Sequence, residues 1–173
     1  MSYLTFSTLT NQRSELLKEA RLAKALNEQL HVSTKIFLSH RHKDIEIVQS
    51  AVGFLRKFGA DLYIDWMDDV LPDKTNSETA QKIKSAIKGA SKFILLATSN
   101  SLESKWIPWE LGLGDSKGIP NIAVMPLLEY DNYWQEREYY SIYGSIETDR
   151  NGTWGWFPPG KNEGELLKNW LHT

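Results

Sequence analysis

The chain has 173 residues, 20 basic against 22 acidic side chains and a net charge of −2 at pH 7. This length suits one domain with a full hydrophobic core, and the charge lacks the basic excess of proteins that bind nucleic acid or anionic membranes. Because the sequence has no cysteine, disulfides, thiolate chemistry and zinc sites built from cysteine are excluded. Catalysis would have to use Glu, Asp, His, Ser or Tyr side chains.

The first part of the sequence predicts an amphipathic helix. Between residues 11 and 30, leucines and alanines recur at helical spacing and charged side chains fill the other positions. We assign residues 1–33 to an N-terminal helical extension and residues 34–173 to the main domain. The sequence shows no basic-then-apolar leader and no apolar run near the roughly 20 residues of a membrane span. We therefore expect a cytoplasmic protein without a membrane partner.

From residue 35 onward, the sequence alternates between strands and single helices. The apolar runs predict strands at residues 35–39, 62–64, 93–97 and 122–125, with a fifth within 139–146. The amphipathic patterns predict helices at 44–58, 77–88 and 163–171. Single helices between consecutive strands indicate a parallel sheet with right-handed crossovers. The predicted fold is therefore α/β and flavodoxin-like, with a parallel sheet of about five strands and helices on both faces.

The segment Trp106-Ile107-Pro108-Trp109-Glu110 follows the third predicted strand. Proline suits the first turn of a helix, so we expect this helix to begin near residue 104 or 105 and to run through 113. Positions four apart share a helix face, so Trp106 and Glu110 would project together at the carboxyl edge of the sheet. Open α/β sheets bind ligands at that edge. An acid in a first helical turn is also favoured by the helix dipole, which is a purely structural role.

A second polar run, Ser39-His40-Arg41-His42-Lys43-Asp44, follows the first strand and reaches the same edge. The convergence of the two segments predicts a functional site. Structural roles stay open for the single residues at this stage. Ser39 can cap the following turn, Arg41 can pair with Asp44 or Asp65, and His40 and His42 can face solvent.

A long loop, residues 66–76, separates the second strand from its helix. Loops of this length inside a compact domain are often functional, and Trp66 is a candidate for stacking on a base. The neighbouring acids lack the spacing and the central glycine of a calcium loop, so we predict no metal site. These acids are Asp65, Asp68, Asp69 and Asp73.

These segments together resemble the Toll/interleukin-1 receptor (TIR) domain family of the bacterial kind. Lys35-Ile-Phe-Leu-Ser-His40 is similar to the first box of the family, and Asp65-Trp-Met-Asp-Asp-Val-Leu-Pro72 is similar to its loop after the second strand. Ser104-Lys-Trp-Ile-Pro-Trp-Glu-Leu-Gly112 contains the Trp-x-x-x-Glu pattern of members that cleave NAD. The likeness covers residues 34 to about 173. One departure is Asp73, because many relatives have glycine after the loop proline.

The resemblance implies an NAD glycohydrolase, ADP-ribosyl cyclase or transferase that releases nicotinamide, with NAD as substrate and no further cofactor. It makes Glu110 the catalytic residue. Positive charge develops on the ribose as its bond to nicotinamide breaks, and a nearby carboxylate can stabilise that charge. Substrate contacts are then expected from hydrogen-bonding, charged and stacking side chains, namely Ser39, His40, Arg41, Asp65, Trp66, Asp69 and Trp106.

The resemblance also implies partners. TIR enzymes of this type work when they self-associate, and the loop at 66–76 and the N-terminal helix are the candidates for that contact. A small free-standing TIR protein resembles the sensor component of a Thoeris-type anti-phage system, whose nucleotide signal reaches a separate effector.

Two other functions remain open. One is a TIR–TIR assembly module that performs no chemistry, and the other is an N-glycoside enzyme of the nucleoside deoxyribosyltransferase type. A phosphoacceptor receiver domain is disfavoured, because Ser39-His40 and Thr98-Ser99 stand where such a domain needs its acids.

Overall fold

The computed structural model describes residues 2–11, 15, 18, 35–64, 77–128 and 138–173, without the side chains of residues 10 and 42. The strands are β1 (Leu4–Thr5), β2 (Lys35–Ser39), β3 (Asp61–Tyr63), β4 (Lys92–Ala97), β5 (Ile122–Leu128), β6 (Gly144–Thr148), β7 (Trp154–Phe157) and β8 (Glu165–Leu166). The helices are α1 (Phe6–Asn11), α2 (Ile45–Lys57), α3 (Ser77–Gly89), α4 (Ser99–Leu102), α5 (Ile107–Gly114) and α6 (Leu167–His172). Within these ranges, none of the helices is both long enough and apolar enough to cross a bilayer.

Five parallel strands form the centre of the sheet, in the order β3-β2-β4-β5-β6. They correspond to the five strands that the sequence predicts. This order is that of flavodoxin-like folds, in which the direction of winding reverses between the first and third strands, here β2 and β4. The predicted α/β class is therefore confirmed.

The sheet is larger than predicted, because the described ranges alone contribute eight strands, and it is mixed rather than parallel throughout. The additions β7 and β8 run antiparallel to their neighbours, and β1 lies parallel to the carboxyl half of β5, with Leu4 opposite Leu127. The prediction of a helix at 163–171 was wrong for its first residues, because β8 occupies Glu165–Leu166. Gly164 explains the difference: a Cβ there would lie 2.5 Å from the Trp156 carbonyl oxygen, so the backbone passes close to β7.

Apolar side chains cover both faces of the central strands. On β2, Ile36 and Leu38 belong to the core under α2 and α6, whereas Phe37 belongs to the core under α3 and α5 and stacks on Phe93 at a centroid distance of 5.5 Å. Side chains alternate along a strand. Ser39, two residues after Phe37, is therefore on the face that α5 covers.

The C-terminal helix is fastened to the amino edge of the sheet by its tryptophan. Trp170 Nε1 donates to the Pro120 carbonyl oxygen at 2.7 Å, and the ring lies 4.8 Å from Lys92 Nζ. Lys92 is only 2% exposed and donates to Asn121 Oδ1 at 3.2 Å. Burial lowers the pKa of Lys92, and the charge of Glu165 opposes that shift. This edge is opposite to the one where the sequence places the site.

Gly114→Ala tests the packing of α5 on β4. Gly114 has helical dihedrals (φ −62°), so the backbone accepts alanine, but the new Cβ would lie 2.8 Å from the Phe93 ring. We expect the free energy of unfolding in urea to fall by about 1–3 kcal/mol.

The matched control is Gly112→Ala in the same helix, where an added Cβ meets nothing within 4 Å. It should be neutral or stabilise by up to about 1 kcal/mol, because alanine is the better helix former. Equal stabilities for the two variants would contradict the tight contact with Phe93.

Candidate active site at the carboxyl edge of the sheet

The loops that leave β2 and β4 diverge to opposite faces of the sheet. The chain passes from β2 to α2 on one face, and from β4 through α4 to α5 on the other. Neighbouring strands whose connections diverge in this way leave a crevice at their carboxyl ends, which is where open α/β sheets bind ligands.

Ser39 and Glu110 meet at this crevice. Ser39 Oγ donates to Glu110 Oε2 at 2.5 Å, across 71 residues of sequence. Glu110 lies in the first turn of α5 and is only 7% exposed. A buried carboxylate requires donors, and a short bond from a hydroxyl to an ionised oxygen is among the stronger hydrogen bonds. The Ser39 hydroxyl is thus directed to Glu110, whereas the sequence also allowed it to cap the following turn.

Ser104 sets the start of α5. Its Oγ accepts from the backbone N–H groups of Trp106 and Ile107, both at 3.2 Å. The helix therefore begins at Ile107, later than predicted. Arg41 Nη1 donates to the same hydroxyl at 3.4 Å, rather than to Asp44 as considered from the sequence. This contact brings the polar run after β2 to the beginning of α5.

Trp106 precedes Glu110 by one helical turn, as predicted. Its carbonyl oxygen accepts from the Glu110 N–H at 2.9 Å, which places the two residues in register on one face. The Trp106 ring meets the Trp109 ring edge to face, with centroids 5.1 Å apart and an interplanar angle of 89°. Both rings are half-buried. They form an aromatic pair at the start of α5, the helix that carries Glu110.

His40 points back to the end of β2. Its Nδ1 lies 3.0 Å from the Leu38 carbonyl oxygen. A carbonyl only accepts hydrogen bonds, so Nδ1 carries the proton, and in the neutral ring the acceptor lone pair is then on Nε2. This tautomer follows from the geometry of the contact.

A hydrogen-bond network that sequence reasoning missed ties the two loops together. We call Asp44, Thr98 and Asn100 the loop clamp. Asp44 is 4% exposed and accepts from Thr98 Oγ1 at 2.6 Å and from Asn100 Nδ2 at 2.5 Å. Asp44 directly precedes α2, and Thr98 caps α4. In sequence, both segments suggest only a local helix start, because the partners are 54 and 56 residues apart.

The described site thus brings together five predicted residues, which are Ser39, His40, Arg41, Trp106 and Glu110. The other three predicted site residues, Asp65, Trp66 and Asp69, lie outside the described residues, as does the whole loop at 66–76. In the ranges that the structure covers, no three His, Asp or Glu side chains are grouped so that they could hold a metal ion.

Asp44→Ala tests the loop clamp. The substitution leaves two donors, on Thr98 and Asn100, without their acceptor, and Thr98 is buried. We expect the free energy of unfolding to fall by about 2–3 kcal/mol in urea titrations. The adjacent exposed residue gives the control: Lys43→Ala should change stability by less than about 0.5 kcal/mol. A loss for Asp44→Ala no larger than that of the control would contradict a stabilising clamp.

Comparison with known proteins agrees with these motifs. The family model of the TIR domain matches residues 36–149. The chain is 29% identical over 175 residues to the "Probable 3' cyclic ADP-D-ribose synthase ThsB'" of Bacillus cereus (strain MSX-D12), covering 92% of this chain and 90% of that protein. It is 26% identical over 100 residues to the "Putative cyclic ADP-D-ribose synthase TIR2" of Cytobacillus dafuensis, covering 56% of this chain and 26% of that protein. The predicted resemblance is confirmed, and this chain belongs to the TIR domain family.

Proposed function

We propose that this protein is a TIR enzyme that cleaves NAD, with Glu110 stabilising the ribose as nicotinamide departs. The observation that carries the proposal is the contact between Ser39 and Glu110 at the crevice between β2 and β4. The two relatives named as cyclic ADP-D-ribose synthases support it, because a cyclic ADP-ribose can be made from NAD by loss of nicotinamide.

Cleavage of the N-glycosidic bond of NAD requires a negative charge near the ribose more than it requires a proton on the leaving group. When the N-glycosidic bond breaks, its electron pair goes to the pyridinium nitrogen, and nicotinamide leaves as a neutral molecule. The opposite change occurs on the sugar, where positive charge builds on the anomeric carbon and the ring oxygen. A preorganised carboxylate stabilises that charge, and it does so more strongly where water is excluded. Glu110 has this character, being buried and oriented by Ser39.

The neighbouring side chains supply binding. Arg41 is half-buried and its Nη1 donates to Ser104, which holds a guanidinium group with five N–H donors beside the start of α5, where it can bind the diphosphate. Trp106 offers a ring beside Glu110 for stacking and for excluding water. Ser39 at the end of β2 and His40 directly after it are further polar groups for substrate contact. Asp65, Trp66 and Asp69 keep their proposed roles in substrate contact.

The proposal extends to the product and its use. After cleavage, the ribosyl cation is captured by water, giving ADP-ribose, or by another part of the same nucleotide, giving a cyclic product. The names of the relatives favour the cyclic product. We assign this nucleotide a signalling role in bacterial antiviral defence, with a separate effector as its receiver and self-association of the TIR domain as the activating step.

Glu110→Gln is the decisive variant. Glutamine keeps the size and an oxygen for the Ser39 hydroxyl, but it removes the charge. We expect nicotinamide release from NAD, measured by chromatography with concentrated full-length protein, to fall by about 100-fold or more. Ser39→Ala, which leaves the carboxylate in place but removes the hydroxyl that donates to it, should lower the rate by about tenfold.

Glu103→Gln is the matched control, because this exposed acid precedes α5 and is not one of the proposed site residues. Its rate should stay within about twofold of the parent. Parent-level activity in Glu110→Gln would refute the catalytic role. If neither concentrated protein nor phage-infected cells release nicotinamide, the non-catalytic assembly module is the better reading. Transfer between deoxynucleosides would instead indicate the deoxyribosyltransferase-like alternative.

A further inference from the structure

A second cavity, of about 470 Å³, opens at the carboxyl ends of β5 and β6. None of the five described residues of the candidate active site lines it. Its floor includes Val124, Ser145 and Glu147. The side chains of Tyr140 and Tyr143 form part of its walls, and residues 158–162 border it. Cavities of this size accommodate a mononucleotide.

The pairing of the strands fixes where this cavity lies. Val124 is opposite Ser145 in the parallel ladder, so both side chains project to one face, and Glu147 follows on the same face. Val124 belongs to the core under α5, the helix that carries Glu110. The crevice at β2 and β4 and the cavity at β5 and β6 are centred two strand spacings apart, which is about 10 Å along the sheet.

The floor of the cavity accepts hydrogen bonds rather than donating them. Glu147 is 7% exposed, and its Oε1 accepts from Ser145 Oγ at 2.6 Å, the one side-chain donor to this carboxylate in the described part of the chain. Each carboxylate oxygen has two acceptor sites, so Glu147 can take further donors. A ligand group that donates hydrogen bonds therefore suits the end of the cavity at Glu147.

The tyrosine rings in the walls of this cavity are held in place by contacts with neighbouring side chains. Tyr143 donates from its hydroxyl to Asp115 Oδ1 at 3.0 Å, and the Tyr140 ring meets the Tyr139 ring edge to face at 4.9 Å. Burial and the hydrogen bond to Asp115 raise the pKa of Tyr143 to about 12, so this phenol keeps its proton and its contact. Fixed aromatic walls suit a planar ring.

The border carries a cation. Lys161 lines the cavity next to Asn162 and is exposed, whereas Glu147 is at the buried end. An ammonium group at the rim can bind a phosphate while the base occupies the interior. The cavity therefore distinguishes two ends of a ligand, a donor-rich planar end and an anionic end.

We propose that this cavity binds a guanine nucleotide, with the base on Glu147 and the phosphate near Lys161. Guanine presents two adjacent donors, N1–H and the 2-amino group, to the two oxygens of a carboxylate. Adenine presents a ring acceptor beside its amine, which a carboxylate repels. This inference does not depend on the chemistry assigned to Glu110.

The test is titration calorimetry of the full chain with GMP, IMP and AMP. GMP should bind, IMP should bind about tenfold more weakly because it lacks the 2-amino group, and AMP should be weaker still. Glu147→Gln should weaken the binding of GMP by about tenfold or more, because glutamine offers a single acceptor oxygen. The control is Glu163→Gln, which changes an exposed acid outside this cavity. Its affinity for GMP should stay within about twofold of the parent's.

A second variant guards against a folding defect in Glu147→Gln. Lys161→Ala changes an exposed side chain, and it should reduce the affinity for GMP to that for guanosine while leaving guanosine binding unchanged. The proposal is overturned if GMP does not bind at millimolar concentration, if AMP binds as well as GMP, or if both variants bind GMP like the parent. Loss of GMP binding in Glu110→Gln but not in Glu147→Gln would overturn it too, since the nucleotide would then occupy the crevice.

Discussion

The bond between Ser39 and Glu110 depends on the register of the sheet. Ser39 ends β2 opposite Leu95 of β4, and this pairing sets the serine under the helix that follows β4. A carboxylate buried without donors would cost several kcal/mol or would take up a proton. A slip of one residue would turn Ser39 to the other face and remove its bond to the acid. The apolar layers on both sides, which hold the register, therefore also hold Ser39 against Glu110.

Local patterns were sufficient to predict the central sheet and the meeting of its two polar loops. Strand periodicity is a property of a few consecutive residues, and the carboxyl ends of parallel strands share an edge whatever connects them. The loop clamp was not predictable in this way, because Asp44 finds its partners through the tertiary fold. The late start of α5 depends on one hydroxyl, that of Ser104. The extra strand β8 depends on a close backbone approach at Gly164, which strand propensity does not encode.

The two cavities differ in which parts of the chain build them. The crevice is made by segments within residues 36–149, the part that matches the family. The second cavity also requires Tyr3 and residues 158–162, which lie outside that match. The N-terminal residues reach it because β1 lies beside the end of β5, and the C-terminal residues reach it through the turn between β7 and β8. A framework shared with the family is thus combined with a pocket to which the flanking segments contribute nearly half of the lining residues.

The indole under Lys92 gives the last helix a role in the interior of the sheet. Trp170 covers an ammonium group that has only Asn121 as a hydrogen-bonded protein partner in the described ranges. Removal of the chain from Leu167 onward would take away this cover and admit water to the start of β4, which is four positions from β8 in the sheet order. The six residues of α6 are consequently part of the cooperative folding unit, and their removal would lower the free energy of unfolding of the whole domain.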